Sequence, residues 1–278
     1  MPIELFWDFG SNRWKGDKSL RTSKFDCSVP CRINKDQSDS SVLSVISVKG
    51  TNWEITSTME GEKYFPEAKI DHKAYQRDKY FAVTSFQSEI PMPYFSWAEY
   101  KINNPAVNFD KVIKGALFLA KNCNSKSDRE SVIQNLLKTK LRVDSPSGCF
   151  NNAGPPPGLN DLSNSTAVQE RYLFYLAFEN QQTIDYVTEK LWGALRAGTL
   201  PVYFGAPNIQ EHVPPNSVIF VDDFKTTQDL ANYLIRLTKD KRLYESYHAW
   251  RYTNNAEYKK FLQKYQFTNT HSTCRFVI

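Results

Sequence analysis

The stretch Arg171-Tyr-Leu-Phe-Tyr-Leu-Ala-Phe-Glu-Asn-Gln-Gln-Thr-Ile-Asp-Tyr-Val-Thr-Glu-Lys-Leu191 decides the fold of this chain. Its apolar run over 172–178 is short and aromatic enough for a strand that is buried on both faces. A polar segment follows, and apolar residues then recur at helical spacing as far as Gly198, where a helix is expected to end. Residues 201–204 predict a second strand. These elements make a βαβ unit, and its polar loop lies at the carboxyl end of a strand, where parallel sheets bind ligands.

Another strand and helix precede this unit. Residues 115–120 predict a short buried strand, and Ser127-Asp-Arg-Glu130 has the Ser-x-x-Glu pattern of a capping box at a helix start. Arg129 then lies in the first helical turn, where free amides and the helix dipole favour an anion. Two interpretations stay open: Arg129 binds a phosphate group, or it pairs with Glu130 or another nearby acid.

The helix after the polar loop carries the other charged candidates. Because each residue advances about 100° around a helix, Tyr186, Glu189 and Lys190 share the side opposite the apolar stripe, in the first turns. Lys190 borders that stripe, so its ammonium group is expected to be partly shielded from water. A cation for phosphate and a carboxylate for ribose hydroxyls suit a nucleotide-sugar. The alternative is an ordinary Glu–Lys pair on a solvated helix face.

The composition excludes several classes of protein. The 278 residues carry a net charge of +5 and can form two domains of ordinary size. Neither a nucleic-acid-binding module nor a long apolar run or signal peptide is recognisable, so we expect no nucleic-acid partner and no membrane anchor in this chain. Five cysteines and four scattered histidines do not match a zinc-site pattern. Asp222 and Asp223 are interpreted as a turn that caps the next helix, so no metal site is predicted.

The remaining elements are read from composition and turn signals. Residues 11–40 predict a loop held by Cys27 and Cys31. Strands are predicted at 4–9, 42–48, 79–87 and 218–221, and helices at about 226–238 and 242–252.

Several motifs resemble the signature of the α1,3/4-fucosyltransferase family. The central ones are Phe178-Glu-Asn180, Asp185-Tyr-Val-Thr-Glu-Lys-Leu191, Ala197-Gly-Thr-Leu-Pro-Val202 and Gly205-Ala-Pro-Asn-Ile209. Asn122-Cys-Asn-Ser-Lys-Ser-Asp-Arg129, the stretch 143–149, Val221-Asp-Asp-Phe224 and His271-Ser-Thr-Cys-Arg275 extend the similarity. The tracts at 205–209 and 270–274 look closest to the core α1,3-fucosyltransferase branch, which modifies N-glycans.

The resemblance implies an α/β fold of GT-B type, with two Rossmann-like domains facing across a cleft. Residues 1–110 would form the acceptor-side domain and residues 111–278 the GDP-fucose-binding domain. The implied reaction is inverting transfer of L-fucose from GDP-fucose to a GlcNAc hydroxyl of a glycan or glycoprotein in α1,3 linkage. No cofactor is required, and stimulation by Mn²⁺ or Mg²⁺ is left open. The family's donor-binding residues carry over to Arg129, Asn180, Tyr186, Glu189 and Lys190.

The general base of the family lies in a Glu-Ser-Pro-like loop of the N-terminal domain. Ser88-Glu89-Ile-Pro91 is the counterpart here, so Glu89 is the predicted base and Glu99 the alternative. Leu173 stands where a Lys is common in the family, and Gln181 replaces the usual Ser. Because such departures bear on activity, two other functions stay open: a catalytically impaired GDP-sugar- or glycan-binding relative, and a transferase that uses another nucleotide-sugar.

The resemblance also implies a Golgi location. Family members are usually Golgi membrane proteins, although no anchor is visible in this sequence. A disulfide between Cys123 and Cys149 would suit the oxidising lumen, and the glycosylation sequon Asn164-Ser-Thr166 is compatible with it.

Overall fold

The chain divides into two units, each built on its own β-sheet. The first unit consists of Met1–Glu99, Thr183–Tyr186 and Tyr265–Ile278, and the second of Tyr100–Gln182 and Val187–Lys264. The structure, a computed structural model, describes residues 3–7, 19–21, 31–35, 44–48, 54–66, 69–70 and 79–269. These units depart from the predicted division at residue 110, because the chain returns to the first unit twice after leaving it.

The first unit contains a six-stranded mixed sheet in the order β2-β3-β1-β4-β5-β6. Its strands are β1 Ile3–Trp7, β2 Ser19–Arg21, β3 Cys31–Lys35, β4 Ser44–Val48, β5 Glu54–Ser57 and β6 Lys79–Ala82. The pairs β1–β3 and β5–β6 are parallel, and the other neighbours are antiparallel.

The loop predicted for residues 11–40 is wrong where β2 and β3 lie. Both strands are short and polar, and their register is set by pairing with each other and with β1, a non-local effect that local composition does not reveal. Of the two cysteines predicted to hold this segment, Cys31 begins β3, whereas Cys27 lies outside the described residues.

The second unit contains a five-stranded parallel sheet in the order β11-β10-β9-β7-β8. Its strands are β7 Ile113–Leu117, β8 Val143–Asp144, β9 Tyr172–Phe178, β10 Leu200–Phe204 and β11 Ile219–Phe220. The chain adds β8 on one side of β7 and the later strands on the other. The strand order therefore reverses between β7 and β9, and open α/β sheets bind ligands outside the carboxyl ends of strands at such a switch point. The α/β class is confirmed.

Six α-helices of the described residues lie between the strands of the second unit or follow its last strand. They are α1 Arg129–Leu137, α2 Ser165–Gln169, α3 Glu189–Ala197, α4 Thr227–Leu237, α5 Lys241–Ser246 and α6 Ala256–Lys264. The helix predicted for 242–252 is two elements, because α5 ends at Ser246 and a 3₁₀ turn, Ala249–Tyr252, follows. Within the described part of the chain, none of the helices is both long and apolar enough to span a membrane.

The predicted βαβ unit is confirmed as β9, α3 and β10. All seven residues of β9 are buried, as expected for a central strand of a parallel sheet. Helix α3 begins after Thr188, whose side chain accepts from the Lys190 amide, and it ends at Gly198. Gly198 has φ 75°, and a side chain there would meet the carbonyl of Pro105, so both conformation and space favour glycine.

Candidate functional site

The loops that follow β7 and β9 are joined by hydrogen bonds at the switch point. Arg129 donates through Nη1 to the Phe178 carbonyl and through Nη2 to the Asn122 carbonyl, each at 2.9 Å. The Ser127 hydroxyl donates to the carbonyl of Glu179 at 2.7 Å. The carbonyl of Asn180, a predicted donor-binding residue, accepts from the Lys126 amide at 2.8 Å. These bonds fix the end of β9, where the sequence placed the ligand loop.

Arg129 is the first residue of α1, as predicted, but it is only 3% exposed. Its Nε lies 3.4 Å from a Glu130 oxygen, so the pairing that was one of the two open interpretations is present. The guanidinium group therefore holds the two loops together through carbonyl oxygens. Its contact with a phosphate group stays a prediction.

The predicted capping box at the start of α1 is wrong. The residue before the helix is Asp128, in a left-handed conformation with φ 60° and without a side-chain cap. Glu130 instead accepts from the Ser125 amide at 3.2 Å and from the Ser125 hydroxyl at 2.6 Å. The bonds made by Ser125 and Ser127 to Glu130 and to the end of β9 replace the reciprocal cap that the spacing suggested.

The structure brings Glu189 and Lys190 together at the start of α3. The Lys190 ammonium lies 3.1 Å from Glu189 Oε1, 3.3 Å from Glu179 Oε2 and 2.9 Å from the Thr188 hydroxyl. The Lys190 side chain is 17% exposed, which agrees with the predicted shielding, while Glu189 is 55% exposed and Glu179 is fully buried. The predicted alternative, a Glu–Lys pair, is thus present. It differs from an ordinary pair on a solvated helix face because the buried carboxylate of Glu179 also contacts Lys190.

The charge of Lys190 is held by its surroundings. Burial by itself lowers the pKa of an ammonium group, but the carboxylates of Glu179 and Glu189 outweigh this effect and raise the pKa of Lys190 above its ordinary value. Lys190 is therefore a fixed cation at a helix N-terminus, beside the carboxyl end of β9. Such a cation can stabilise negative charge on a phosphate leaving group.

Glu179 is a site residue to which the sequence analysis assigned no role. Its Oε1 accepts from the Thr188 amide at 2.8 Å, and its Oε2 accepts from the Thr188 hydroxyl at 2.7 Å. Gly205 at the end of β10 makes room for it, since a Cβ there would lie 2.6 Å from Glu179 Cγ and from the Tyr203 hydroxyl. A signal was available: an acid directly after an entirely apolar strand lies at its buried carboxyl end.

Tyr186 precedes α3, and its predicted position in the first turns of the helix is wrong. Asp185, directly before it, has φ 63°, and Thr188 is extended, so the helix cannot begin until Glu189. Tyr186 belongs to the first unit, is 1% exposed, and donates from its hydroxyl to Glu60 Oε2 at 2.9 Å. Its role toward the donor stays a prediction.

Three carboxylates of the first unit bear on the choice of base. Glu89 is exposed, and its Oε2 accepts from the Phe81 amide at 2.9 Å, so it satisfies a backbone donor of β6. Glu99 is half-buried and follows a turn at Ser96. Glu60, which the sequence analysis missed, contacts Tyr186. It follows β5 by three residues, at the end of a strand, and that position was the available signal.

Two further expectations concern cysteines and acids. The disulfide between Cys123 and Cys149 is confirmed, with their Cα atoms 5.2 Å apart. Asp222 and Asp223 lie in a 3₁₀ turn directly after β11, so the predicted turn is confirmed. The next helix is capped by Thr226, so the cap predicted for these acids is wrong. Among the residues that the structure describes, no group of three or more His, Cys, Asp or Glu side chains could hold a metal ion.

Comparison with known proteins gives several similar sequences. A fucosyltransferase-like protein of Arabidopsis thaliana is 30% identical over 254 residues, 91% of this chain and 48% of that protein. GDP-fucose protein O-fucosyltransferase 3 of Xenopus tropicalis is 31% identical over 291 residues, 94% of this chain and 60% of that protein. Alpha-(1,3)-fucosyltransferase B of Drosophila melanogaster is 38% identical over 156 residues, 52% of this chain and 35% of that protein. The chain thus spans about half the length of these relatives.

A crystal structure of an alpha1,3-fucosyltransferase with GDP-fucose aligns with a TM-score of 0.45 and 24% identity, covering 62% of this chain and 49% of that one. A sequence model described as glycosyltransferase family 10 (fucosyltransferase) C-term matches residues 109–277. This match spans more than half of the 278 residues and includes the loops after β7 and β9 as well as α3. The family predicted from the motifs is confirmed: the chain belongs to glycosyltransferase family 10, the fucosyltransferases.

Proposed function

We propose that this chain transfers L-fucose from GDP-fucose to an acceptor hydroxyl with inversion at the anomeric carbon. The observation that carries the proposal is Lys190, a cation held by Glu179, Glu189 and Thr188 at the start of α3, in a chain of the fucosyltransferase family. Lys190 stabilises the negative charge that grows on the departing GDP, and Glu189 binds the ribose hydroxyls. Arg129 and Asn180 complete the donor site.

The transfer needs a base that removes the proton from the acceptor hydroxyl. As that proton leaves, the acceptor oxygen bonds to the fucose anomeric carbon, and the bond from that carbon to the β-phosphate oxygen breaks. Glu89 was predicted for this role, with Glu99 as the alternative. We now favour Glu60, because its carboxylate contacts the predicted donor residue Tyr186, whereas Glu89 accepts from a strand amide.

Turnover of GDP-fucose with a GlcNAc-terminated glycan acceptor tests the function. We expect Glu60→Gln to lower kcat by about 10²- to 10⁴-fold, the usual contribution of a general base, with GDP affinity retained. Glu89→Gln and Glu99→Gln are the matched variants and should keep most of the activity. If Glu89→Gln alone abolishes turnover, the original choice of base is right.

Two other outcomes would replace the proposed activity. One outcome is that the unaltered chain binds GDP but no acceptor turns over. If Glu60→Gln, Glu89→Gln and Glu99→Gln then bind GDP equally well, the protein is a non-catalytic GDP-sugar-binding relative. A preference for UDP over GDP in competition would instead indicate a transferase for another nucleotide-sugar.

Two acceptors are supported by different similarities. The motifs favour a GlcNAc hydroxyl in α1,3 linkage, including that of an N-glycan core. The Xenopus relative that aligns with 94% of the chain bears the name of a protein O-fucosyltransferase, which favours a polypeptide hydroxyl. Mass spectrometry of a glycoprotein and of a glycan-free polypeptide after incubation with GDP-fucose distinguishes the two, since the added fucose appears on only one of them.

Location and metal dependence complete the proposal. The disulfide of Cys123 and Cys149 supports an oxidising compartment such as the Golgi lumen, and microscopy of the tagged full-length protein tests this. We propose that the reaction requires no metal ion, because Lys190 supplies the fixed positive charge. Activity that survives EDTA would support this, and restoration of a lost activity by Mn²⁺ or Mg²⁺ would overturn it.

A further inference from the structure

The sequon Asn164-Ser-Thr166 is a motif that the proposed transfer reaction does not use. It is the one triplet of the Asn-x-Ser/Thr type, with a residue other than proline in the middle, in the whole sequence. It lies in a surface segment, since five of the six residues from 160 to 165 are exposed and only Leu162 is half-buried. An N-linked glycan is bulky and stays in water, so it needs such a surface.

The side chain of Asn164 uses its oxygen within the fold and leaves its nitrogen for other chemistry. Oδ1 accepts from the Ala167 amide at 3.1 Å, as the cap before α2. Within the described part of the chain, Nδ2 of this exposed residue donates no hydrogen bond. An N-linked glycan is attached through Nδ2, and the amide oxygen keeps its lone pairs, so the cap and a glycan are compatible.

The hydroxyl of Thr166, the third residue of the sequon, is engaged in the folded chain. Arg196 on α3 donates from Nη2 to this hydroxyl at 2.6 Å, and Thr166 is half-buried. An enzyme that recognises the sequon must reach this hydroxyl, so recognition has to come before α2 packs on α3. The order of synthesis allows this, because Arg196 follows Thr166 by 30 positions.

We propose that Asn164 carries an N-linked glycan, added before Thr166 and Arg196 come together. The inference rests on the lumenal location proposed above, where the co-reactant is a lipid-linked oligosaccharide diphosphate. Asn164 Nδ2 bonds to C1 of the sugar next to the diphosphate, and the bond from C1 to the diphosphate oxygen breaks. The lipid diphosphate leaves with that electron pair, and Nδ2 loses one proton. The product is a secondary amide whose oxygen still caps α2.

Expression of the tagged full-length protein in cultured eukaryotic cells, followed by peptide N-glycosidase, tests the inference. We expect the enzyme to shift the protein to a single faster band in electrophoresis. Peptide mass spectrometry should then find Asp in place of Asn164, since the enzyme leaves a carboxylate where it releases a glycan. A protein with unchanged mobility and an intact Asn164 overturns the inference.

Three variants show whether the shift belongs to this sequon. Asn164→Asp keeps a capping oxygen but has no amide nitrogen, so it should run as the faster band with or without the enzyme. Ser165→Pro should do the same, because proline in the middle blocks the sequon and is well tolerated at the first position of a helix. Thr166→Ser keeps the sequon and a hydroxyl for Arg196, and as the matched control it should retain the shift.

The order of events has a test of its own. The full chain made in bacteria lacks the glycan and can be offered, with a lipid-linked oligosaccharide diphosphate, to a solubilised oligosaccharyltransferase. We expect the folded chain to stay unmodified and the same chain, freshly diluted from urea, to gain the glycan. Equal modification of the folded and the diluted chain would show that the Thr166–Arg196 contact does not close the site.

Protease digestion of intact microsomes separates failure of the inference from failure of the proposed location. A protected protein without a glycan overturns the inference and leaves the lumenal location intact. A protein that is digested overturns the location and the glycan together. Neither result changes the proposed fucosyl transfer, because Asn164 has no part in the donor site, and Asn164→Asp should turn over GDP-fucose at the rate of the unaltered chain.

Discussion

Replacing Glu179 by Ala removes the buried carboxylate that supports the start of α3. The amide and hydroxyl of Thr188, a fully buried residue, then lose acceptors at 2.8 and 2.7 Å, and Lys190 loses one of its two carboxylates. An unsatisfied buried donor costs about 1–3 kcal/mol, and removal of one partner of a buried ion pair costs about 3–5 kcal/mol. These contributions overlap, so we expect the free energy of unfolding to fall by about 4 kcal/mol.

Urea unfolding followed by circular dichroism measures this loss. Glu179→Gln retains an acceptor for the Thr188 amide, and we expect it to cost about half as much, or about 2 kcal/mol. Glu245→Ala, an exposed acid on α5, is the matched control and should stay within about 0.5 kcal/mol of the unaltered chain. A double-mutant cycle with Lys190→Met should give a coupling energy of about 1–3 kcal/mol.

The pH dependence of this coupling has a definite sign. Because the pKa of Lys190 is raised in the folded state, its contribution is complete below the ordinary pKa of lysine, about 10.4, and is lost at higher pH as the group deprotonates. Burial raises the pKa of Glu179, the other member of the pair, so the coupling energy should weaken as the pH falls and this carboxylate takes up a proton. Equal stabilities of Glu179→Ala and Glu245→Ala would refute the assigned role of Glu179.

Three further perturbations follow from the structure. Gly205→Ala places a Cβ against Glu179 and should cost about 1–3 kcal/mol in urea unfolding and weaken GDP binding in the same sample. Burial, with a smaller effect from Arg251, lowers the pKa of His248 to about 3, so the unfolded chain takes up its proton first as the pH falls below about 6.5. Protonation of this one group should therefore lower the free energy of unfolding by up to about 1.4 kcal/mol for each pH unit below that value. Urea unfolding between pH 7 and pH 4 should show this loss in the unaltered chain and not in His248→Gln. The double variant Cys123→Ser, Cys149→Ser should have a free energy of unfolding about 3 kcal/mol lower than the unaltered chain. A reductant should cause the same loss in the unaltered chain and should have no effect on the double variant.

Periodicity and turn residues were sufficient to predict the βαβ unit. The run of β9 is apolar at every position, so burial on both faces follows from composition alone. Gly198 marks the end of α3 because few other residues adopt its conformation, and that signal is also local. The pair Glu189 and Lys190 could be predicted because a helix position fixes which side chains are adjacent.

The parts that could not be predicted depend on contacts between distant segments or on single backbone angles. Helical spacing extends to Tyr186, but the left-handed Asp185 ends the pattern, and nothing in the spacing indicates that angle. Glu60 lies 126 positions from Tyr186, so no local pattern relates them.

The order of the units along the chain has a consequence for folding during synthesis. The second unit is interrupted only by Thr183–Tyr186, so all of it has been made once Lys264 leaves the ribosome. The first unit begins at Met1 and also includes the residues from Tyr265 onward. The buried ring of Tyr265 contacts the rings of Phe86 and Phe95. We therefore expect the first unit to complete its folding after the second, once the segment from Tyr265 has been synthesised.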